Sequence, residues 1–306
     1  MIGLILGLGT RWMVMNKLID TLRVRSHLWR SCFVKWCGGV FGIWGVVVSF
    51  ISPDDLGLNN TCLKIMALLV LLFLSCVGSA AHAALKRNRE FWSCGSSSLQ
   101  ACYGDLFSFA DDFEGGHCCC VIPVNTTFDT VVDKPGSCVH PLVSPFSLHG
   151  LWLSKMEERG LSVAEIDRRI DDALADVDPA SVKAVPSGFR GKTNEYPVGT
   201  VVPFTVGNIT YLLTALSQFD SRNVAHSDRE NLLLALNGMI EFHDGNGQGC
   251  NLVIPLMGTG LSRMGLDHKG SFNLITSFLT LHRDKLTGHT TVVVYSGDVD
   301  KLSIWD

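Results

Sequence analysis

The sequence lacks a strong excess of charge and lacks any zinc-ligand spacing. Its 25 lysines and arginines nearly balance 29 aspartates and glutamates, leaving a formal net charge of −4, so its overall charge gives no reason to expect nucleic acid as a partner. There are 11 cysteines, but no CxxC pair is matched by a second pair or by an HxxxH segment. The sequence therefore predicts no metal and no other cofactor.

Two stretches near the amino end contain almost no charge. Residues 36–51 carry none, and residues 65–85 carry none apart from a possible proton on His82. With residues 31–35 added, the first run is about 20 residues long, and both runs are then long enough to cross a hydrocarbon core of roughly 30 Å. We predict two transmembrane helices. A cleaved signal is the alternative for the second run, since "GSAAHA" ends in small residues, but this run starts deep in the chain.

Basic residues on both sides of these runs predict the orientation. The turn between the runs has Asp54 and Asp55 and no lysine or arginine. The flanking basic residues are Arg11, Lys17, Arg23, Arg25 and Arg30 before the first run, and Lys86, Arg87 and Arg89 after the second. The positive-inside rule then predicts a multi-pass protein of the cell inner membrane with both termini cytoplasmic. Thiols on the cytosolic side are expected to be reduced, and Met13 or Met15 is an alternative start to Met1.

These features predict six segments along the chain. They are a basic cytosolic N-terminus at 1–30, transmembrane helices at 31–51 and 62–85, an outside turn at 52–61, a linker at 86–99, and a nucleotide-binding domain at 100–306.

Hydrophobic periodicity in the last segment predicts alternating strands and helices. Strands are expected at 117–124, 252–256 and 290–298, a hairpin at 200–216 turning at Gly207 and Asn208, and helices at 161–177, 226–243 and 270–286. Capping boxes at Ser162/Glu165 and Ser227/Glu230 mark two helix starts. This order indicates a mixed sheet covered by helices.

Three short stretches carry residues suited to binding. "GTGLSRMG" leaves a strand end and precedes a helix whose N-terminus would favour negative charge; its candidates are Gly258, Thr259, Gly260, Leu261, Ser262 and Arg263. "YGDLF" offers Asp105 and Leu106, and "VIPVNTTFDT" offers Asn125, Thr126 and Asp129 after a strand. Each stretch has a plainer reading as a structural turn, because glycine, aspartate and asparagine all favour turns.

Taken together, the three stretches resemble the binding elements of macro domains, which bind ADP-ribose. The resemblance spans roughly residues 100 to 300. It implies that Asp105 contacts the adenine amino group, Asn125 lies by the distal ribose, and the loop from Gly258 to Arg263 wraps the diphosphate. The family's "NAAN" and first glycine-rich loop are replaced here by "IPVNTTFDT", which departs from the geometry of the family's hydrolases.

The segments "VIPVN…FDT", "SLHGLWL" and "PLMGTGLSRMG" look most like the transmembrane macro-domain effector of type II Thoeris anti-phage systems. The resemblance implies an α/β fold, in which a two-helix transmembrane hairpin precedes a macro-like three-layer mixed-sheet domain. It implies a non-enzymatic effector that binds an ADP-ribose-derived signal, including an amino-acid conjugate, made by a TIR-domain enzyme. The effector would then form a homo-oligomer and disrupt the lipid bilayer. The alternative is a membrane-tethered ADP-ribosyl hydrolase, with Asn125, Asp129 and His149 acting on a water.

Overall fold

The structure is a computed structural model that describes residues 26–52, 55–57, 60–86, 88–111, 116–134, 141–185, 190–220, 224–247, 249–259 and 265–305. These residues fall into two compact units: one holds the described residues up to 86 together with 302–305, and the other holds those from 88 to 301. Several residues used above lie outside the described ranges: Arg11, Lys17, Arg23, Arg25, Asp54, Arg87, Gly260, Leu261, Ser262 and Arg263.

The first unit contains two long helices, α1 (Ser26–Phe50) and α2 (Thr61–Leu85). The side chain of Asn60 caps α2 by accepting a hydrogen bond from the Cys62 N–H at 2.6 Å. Segments of 22 and 23 residues within them, Trp29–Phe50 and Thr61–Ala83, are long and apolar enough to cross a membrane. Large apolar side chains stand exposed along both helices, as at Ile43 (70%) and Phe73 (67%), which is the surface expected of a membrane-associated segment.

The two helices pack at a small residue on α2. A Cβ atom added to Gly78 would lie 2.7 Å from the ring of Trp36, so that ring rests directly on the glycine. The glycines of α1 are placed differently. A Cβ atom added to any of them would meet nothing within 4 Å; they are Gly38, Gly39, Gly42 and Gly45. These four glycines therefore form a bare stripe on α1 rather than part of its contact with α2.

The last described residues of the chain belong to this helical unit. Leu302 and Ile304 are buried, and Trp305 packs with Trp29 against Cys32 of α1 and Ala83 of α2. The ammonium of Lys86 lies 5.0 Å from the centre of the Trp305 ring, within the range of a cation–π contact.

The second unit is built on one large sheet. Its strands are β1 (Asn88–Cys94), β2 (Ser97–Gly104), β3 (Cys118–Asn125), β4 (Lys183–Ala184), β5 (Asn194–Glu195), β6 (Val201–Val206), β7 (Ile209–Phe219), β8 (Ala225–His226), β9 (Asn251–Pro255) and β10 (His289–Tyr295). Its helices are α3 (Leu106–Asp111), α4 (Leu148–Glu158), α5 (Val163–Leu174), α6 (Arg229–Asn246) and α7 (His268–Leu281). Short 3₁₀ turns cover Pro179–Ser181 and Ser296–Asp298.

The sheet has the order β1-β2-β10-β9-β3-β7-β6, and β8 pairs with β7. The pairs from β2 through to β7 are parallel, while β1, β6 and β8 join antiparallel. β4 and β5 form a separate small ribbon. The carboxyl ends of β2, β10, β9, β3 and β7 therefore lie at one edge of the sheet, which we call the carboxyl edge.

Helices cover both faces of this sheet. On one face α3, α4 and α5 share a core with alternate residues of β3, and Trp152 packs edge-on against Phe204 at 5.2 Å. α6 lies on the other face, because its His243 approaches Cys119, whose side chain points away from those of Cys118 and Cys120. The predicted α/β class with a three-layer mixed sheet is confirmed.

Several predicted elements are found close to their predicted bounds. β3 lies within a residue of its predicted range, the hairpin turns at Gly207 and Asn208, and α5 starts with Ser162 accepting from the Glu165 N–H at 3.2 Å. The helix predicted at 270–286 is instead α7, His268–Leu281, and the last strand ends at Tyr295 rather than 298.

Three expectations are wrong. α6 is capped by Asp228, which accepts from the Asn231 N–H at 2.8 Å, while the hydroxyl of Ser227 donates to the Leu216 carbonyl. The stretch 86–99, predicted as a linker, contains β1 and the start of β2. Cys119 and Cys250 are joined as a disulfide although reduced thiols were expected. Cys119 pairs with Leu252, two residues after Cys250, so the sulfurs of Cys119 and Cys250 point to the same face of the sheet. The two cysteines are 131 residues apart in the sequence, so their spacing does not predict this contact.

Candidate functional site

The described residues of the three stretches singled out from the sequence lie at the carboxyl edge. Gly104 pairs with Tyr295 at the ends of β2 and β10, Val293 pairs with Pro255 of β9, and β9 pairs with β3, which ends at Asn125. Asp105 is thus separated from Asn125 by three strand spacings, about 14 Å at the usual distance between strands. The residues after β9 lie between them. This edge is where parallel sheets bind ligands, and the arrangement suits an extended molecule.

Asp105 stands at the start of α3. Its carboxylate accepts a hydrogen bond from the Ser108 N–H at 2.9 Å, and the residue is exposed. The cap explains why an aspartate is favoured here structurally, but it engages one oxygen only and leaves the carboxylate accessible. Leu106, the first residue of α3, is instead buried in the hydrophobic core, so its side chain packs the helix onto the sheet.

The chain turns sharply after β9. Gly258 is buried and has a φ of +90°, a conformation that glycine adopts without strain. Just before it, the Leu256 N–H donates to the Val293 carbonyl at 3.0 Å, and the Met257 carbonyl accepts from the Ser271 hydroxyl. Thr259 follows, half-buried. The turn is therefore tied on one side to β10 and on the other to α7.

The N-terminus of α7 carries its own negative group. The Asp267 carboxylate accepts from the Gly270 N–H at 2.7 Å. This carboxylate satisfies one of the free N–H groups of the helix end and complements the helix dipole, and the prediction that the helix end favours a bound phosphate stays a prediction.

Asn125 is fully engaged in a buried turn. Its side-chain oxygen accepts from the Asp129 N–H at 3.0 Å and lies 3.2 Å from the Thr127 hydroxyl oxygen, whose one hydrogen is directed at Asp129. Its amide nitrogen donates to Asp129 Oδ2 at 3.2 Å and the Leu142 carbonyl at 3.3 Å. Phe128 within the turn has a φ of +50°, which is uncommon for a residue other than glycine. Asn125 thereby holds the shape of the turn, so the structural reading of this asparagine accounts for its contacts.

Thr126 and Asp129 are also buried and bonded. The Thr126 hydroxyl lies 3.1 Å from Glu195 Oε1. Asp129 accepts from the Lys192 N–H at 2.8 Å as well as from Asn125 and the Thr127 hydroxyl. Three donors on one carboxylate satisfy most of its hydrogen-bonding capacity, so Asp129 fixes the turn to the segment around Lys192.

His149 is enclosed in the core. It lies in the first turn of α4, where burial, aided by the positive charge of Lys192, lowers its pKa to about 3. The ring is therefore neutral at pH 7. A general base works best with a pKa near the operating pH, and the pKa of His149 lies far below that.

Sequence reasoning missed the residues that frame the Asn125 turn. Asp133 receives two hydrogen bonds from the Arg190 guanidinium, at 2.6 and 2.7 Å, and one from the Leu142 N–H at 2.8 Å. The Tyr196 N–H donates to the Thr126 carbonyl at 2.8 Å. Arg190 and Tyr196 come from a segment that follows α5, and no spacing in the sequence links that segment to the turn.

Two cavities lie at the opposite end of β3 from the carboxyl edge. One of about 360 Å³ is lined by Cys118, Arg159 and Asn208 among others, and one of about 210 Å³ by Cys119, His243 and Thr210 among others. They therefore belong to a different part of the sheet from the candidate site.

Comparison with known proteins gives the family. No curated protein matches the chain. Among solved structures, the Oceanobacillus iheyensis macrodomain with MES bound is 11% identical with a TM-score of 0.44, covering 69% of this chain and 90% of that one. A mutant of that macrodomain with ADPR is 11% identical (TM-score 0.44, 70% and 92% covered), and the form with ADP is 13% identical (TM-score 0.41, 70% and 90% covered). Residues 99–295 match the family described as "Thoeris protein ThsA, Macro domain", and the chain therefore belongs to the ThsA macro-domain family.

Proposed function

We propose that the chain is a membrane-anchored sensor of anti-phage defence that binds an ADP-ribose-derived nucleotide at the carboxyl edge. The observation that carries this proposal is the convergence of Asp105, the Gly258 turn and the Asn125 turn on one edge of the sheet of a ThsA macro domain. Their spacing matches a ligand with a base at one end and a second sugar at the other. Asp105 accepts from the adenine amino group, and backbone N–H groups of the turn after β9 hold the diphosphate.

The Asn125 turn forms the distal end of this site. The polar atoms of Asn125, Thr126 and Asp129 form hydrogen bonds with one another and with neighbouring segments. In this proposal they therefore shape the surface beside the distal ribose and neither donate hydrogen bonds to it nor accept them from it. Arg263 and Thr259 belong to the diphosphate loop. In this proposal a polar substituent on the ribose, such as an amino acid, is contacted by Arg263.

Sensing rather than hydrolysis is supported by the state of the candidate bases. A hydrolase needs a group that can take a proton from water. Burial keeps the pKa of His149 at about 3, and the Asp129 carboxylate already accepts from three donors. The two apolar helices would also be superfluous for hydrolysis.

The membrane role rests on α1 and α2, which are long and apolar enough to span a bilayer. The basic flanks favour cytoplasmic termini and the inner membrane. The bare glycine stripe of α1, Gly38 to Gly45, offers a surface for close packing with another copy. In this account the signal comes from a TIR-domain enzyme, and ligand-dependent oligomers disrupt the bilayer and stop growth.

The chain path supports coupling between ligand and helices. Asn88, the first residue of β1, pairs with Cys102 near the carboxyl edge, and β10 ends at the same edge. The first residue of β1 and the last residue of β10 therefore both lie near the edge at which the ligand is proposed to bind. To change the ratio of active to inactive chains from 1:99 to 99:1, the ligand must bind the active state about 5.5 kcal/mol more tightly than the inactive state. A ligand with many contacts can supply this difference.

The test uses the full chain in detergent with ADP-ribose and its amino-acid conjugates. A sensor returns the ligand chemically unchanged after long incubation and changes oligomeric state when the ligand is added. Gly42→Leu, on the bare stripe, should bind ligand normally and form fewer oligomers. Multiple-turnover conversion of the ligand, abolished by Asn125→Ala, would establish the hydrolase instead.

A further inference from the structure

A second cluster of reactive side chains lies on the far side of the sheet from α4, away from the carboxyl edge. The sulfurs of Cys119 and Cys250 and a ring nitrogen of His243 all lie within 4.8 Å of one another. Cys119 is on β3, Cys250 directly precedes β9, and His243 is in the last turn of α6. All three residues are buried, so three elements distant in sequence bring the two bonded sulfurs and an imidazole together in the interior.

The hydrogen bonding of His243 determines which nitrogen is available. Nε2 lies 3.0 Å from the Cys250 carbonyl oxygen. Because a carbonyl oxygen only accepts, Nε2 carries the hydrogen, and in the neutral ring Nδ1 then bears a lone pair. Nδ1 itself is buried and has no hydrogen-bond partner among the described residues.

A buried nitrogen lone pair that accepts no hydrogen bond is unfavourable unless it binds another group, such as a metal ion. Metal-ligating histidines commonly show the same arrangement, in which the second ring nitrogen donates to a backbone carbonyl and so fixes the tautomer. Two cysteine sulfurs with a ring nitrogen of this histidine, all within 4.8 Å of one another, form the soft donor set that zinc and similar cations prefer.

We propose that Cys119, His243 and Cys250, with the disulfide reduced, form a binding site for a thiophilic divalent cation such as Zn²⁺. Reduction of the disulfide by a phosphine and water gives two thiols and the phosphine oxide. Each thiol then releases its proton to solvent as its sulfur binds the cation, while Nδ1 of His243 supplies the third ligand. The net charge of the bound site is zero, which suits its burial.

The neighbouring cavity gives the cation a route and a fourth ligand. This cavity of about 210 Å³ is lined by Cys119 and His243 together with polar side chains that include His117, Thr210 and Asn246. A water held there completes a tetrahedral coordination shell, the usual geometry for zinc. The site ties β3, β9 and α6 together, and it lies at the opposite end of β3 from the candidate nucleotide site, so its occupancy and nucleotide binding are separately measurable.

The test is titration of the full chain in detergent, reduced with a phosphine, with Co²⁺ as a spectroscopic substitute for Zn²⁺. One equivalent should produce sulfur-to-cobalt charge-transfer absorption and the visible bands of tetrahedral cobalt, and Zn²⁺ should displace them. Cys119→Ser and Cys250→Ser should each lose the charge-transfer absorption. Cys120→Ala is the matched control, because Cys120 is a buried cysteine on the opposite face of β3, and it should retain the full signal.

His243→Gln separates a ligand from a merely structural histidine. The glutamine amide can still donate to the Cys250 carbonyl, but it has no nitrogen lone pair in place of Nδ1, so cobalt affinity should fall at least tenfold. Unchanged affinity in this variant would overturn the role of His243. Reduced wild-type chain that takes up no Co²⁺ or Zn²⁺, or a signal that survives both serine substitutions, would overturn the site as a whole.

Discussion

His149 provides a quantitative test of whether the polar residues of α4 are structural or catalytic. The buried ring has a pKa of about 3 in the folded chain against 6.5 for an ordinary histidine. Between these two values the unfolded chain binds a proton that the folded chain does not. The contribution of His149 to the free energy of unfolding therefore has its maximum value above pH 6.5 and decreases as the pH falls towards 3.

The size of the effect follows from the two pKa values. Linkage gives a loss of about 2 kcal/mol at pH 5 and about 3 kcal/mol at pH 4 relative to neutral pH. His149→Gln removes the titrating group while keeping a neutral polar side chain, so the variant should lack this part of the acid sensitivity. Other groups titrate in the same range, and the difference between wild type and variant isolates the contribution of His149.

The assay is urea unfolding of the full chain in detergent at several pH values between 4 and 7.5. As the pH rises from 4 to about 6.5, the free energy of unfolding of the wild type should increase more than that of His149→Gln. His226→Gln, which removes an exposed histidine, controls for the loss of a histidine as such. Parallel pH profiles for wild type and His149→Gln, or an NMR titration of His149 near pH 6.5, would refute the reasoning and make this histidine available as a base.

Three further predictions concern the site and the topology. Gly258→Ala should lower the free energy of unfolding by about 1–2 kcal/mol because of the positive φ of Gly258, and it should also weaken ligand binding. The control Gly160→Ala, at a similar φ of +87° in a turn with open space around it, should lose similar stability in urea unfolding and bind the ligand normally. Equal ligand binding by the two variants would argue against a ligand role for the turn after β9. Asp133→Asn should lower the free energy of unfolding by about 1–2 kcal/mol through the loss of its guanidinium pair, part of which is exposed to solvent; an unchanged urea midpoint would contradict this. A reporter inserted at Gly57 should behave as outside the cell and one after Asp306 as inside, and an outside carboxyl end would contradict a cytosolic ligand.

Strongly periodic segments made much of the fold predictable from the sequence. The apolar face of α5 and its Ser162 cap, the buried run of β3 and the Gly207–Asn208 turn are local signals, and each depends on residues close in the chain. β1 and β2 have no clear sequence signal, because their burial is uneven and β1 is a largely exposed edge strand. Only pairing with β10, formed by residues almost two hundred positions away, places β2 within the sheet.

The candidate site was predictable in outline and not in its internal contacts. Glycine after a strand and aspartate before a helix are visible in the sequence, and the sheet then brings them to one edge. The bond from the Lys192 N–H to Asp129 and the contact of His243 with Cys250 and Cys119 depend on how distant segments pack. The sequence spacing of the cysteines therefore gives no sign of the metal site that we propose, because its three residues lie on separate elements.

Calorimetric titration of the full chain in detergent with ADP-ribose and its amino-acid conjugates tests the central claim most directly. The account predicts saturable binding of at least one of these ligands with one site per chain. Asp105→Asn, which retains an oxygen to cap α3 but loses the negative charge, should weaken binding by about 1–3 kcal/mol, and Gly258→Val should abolish it. Absence of binding to all of these ligands, or binding that both substitutions leave unchanged, would contradict a nucleotide site at the carboxyl edge.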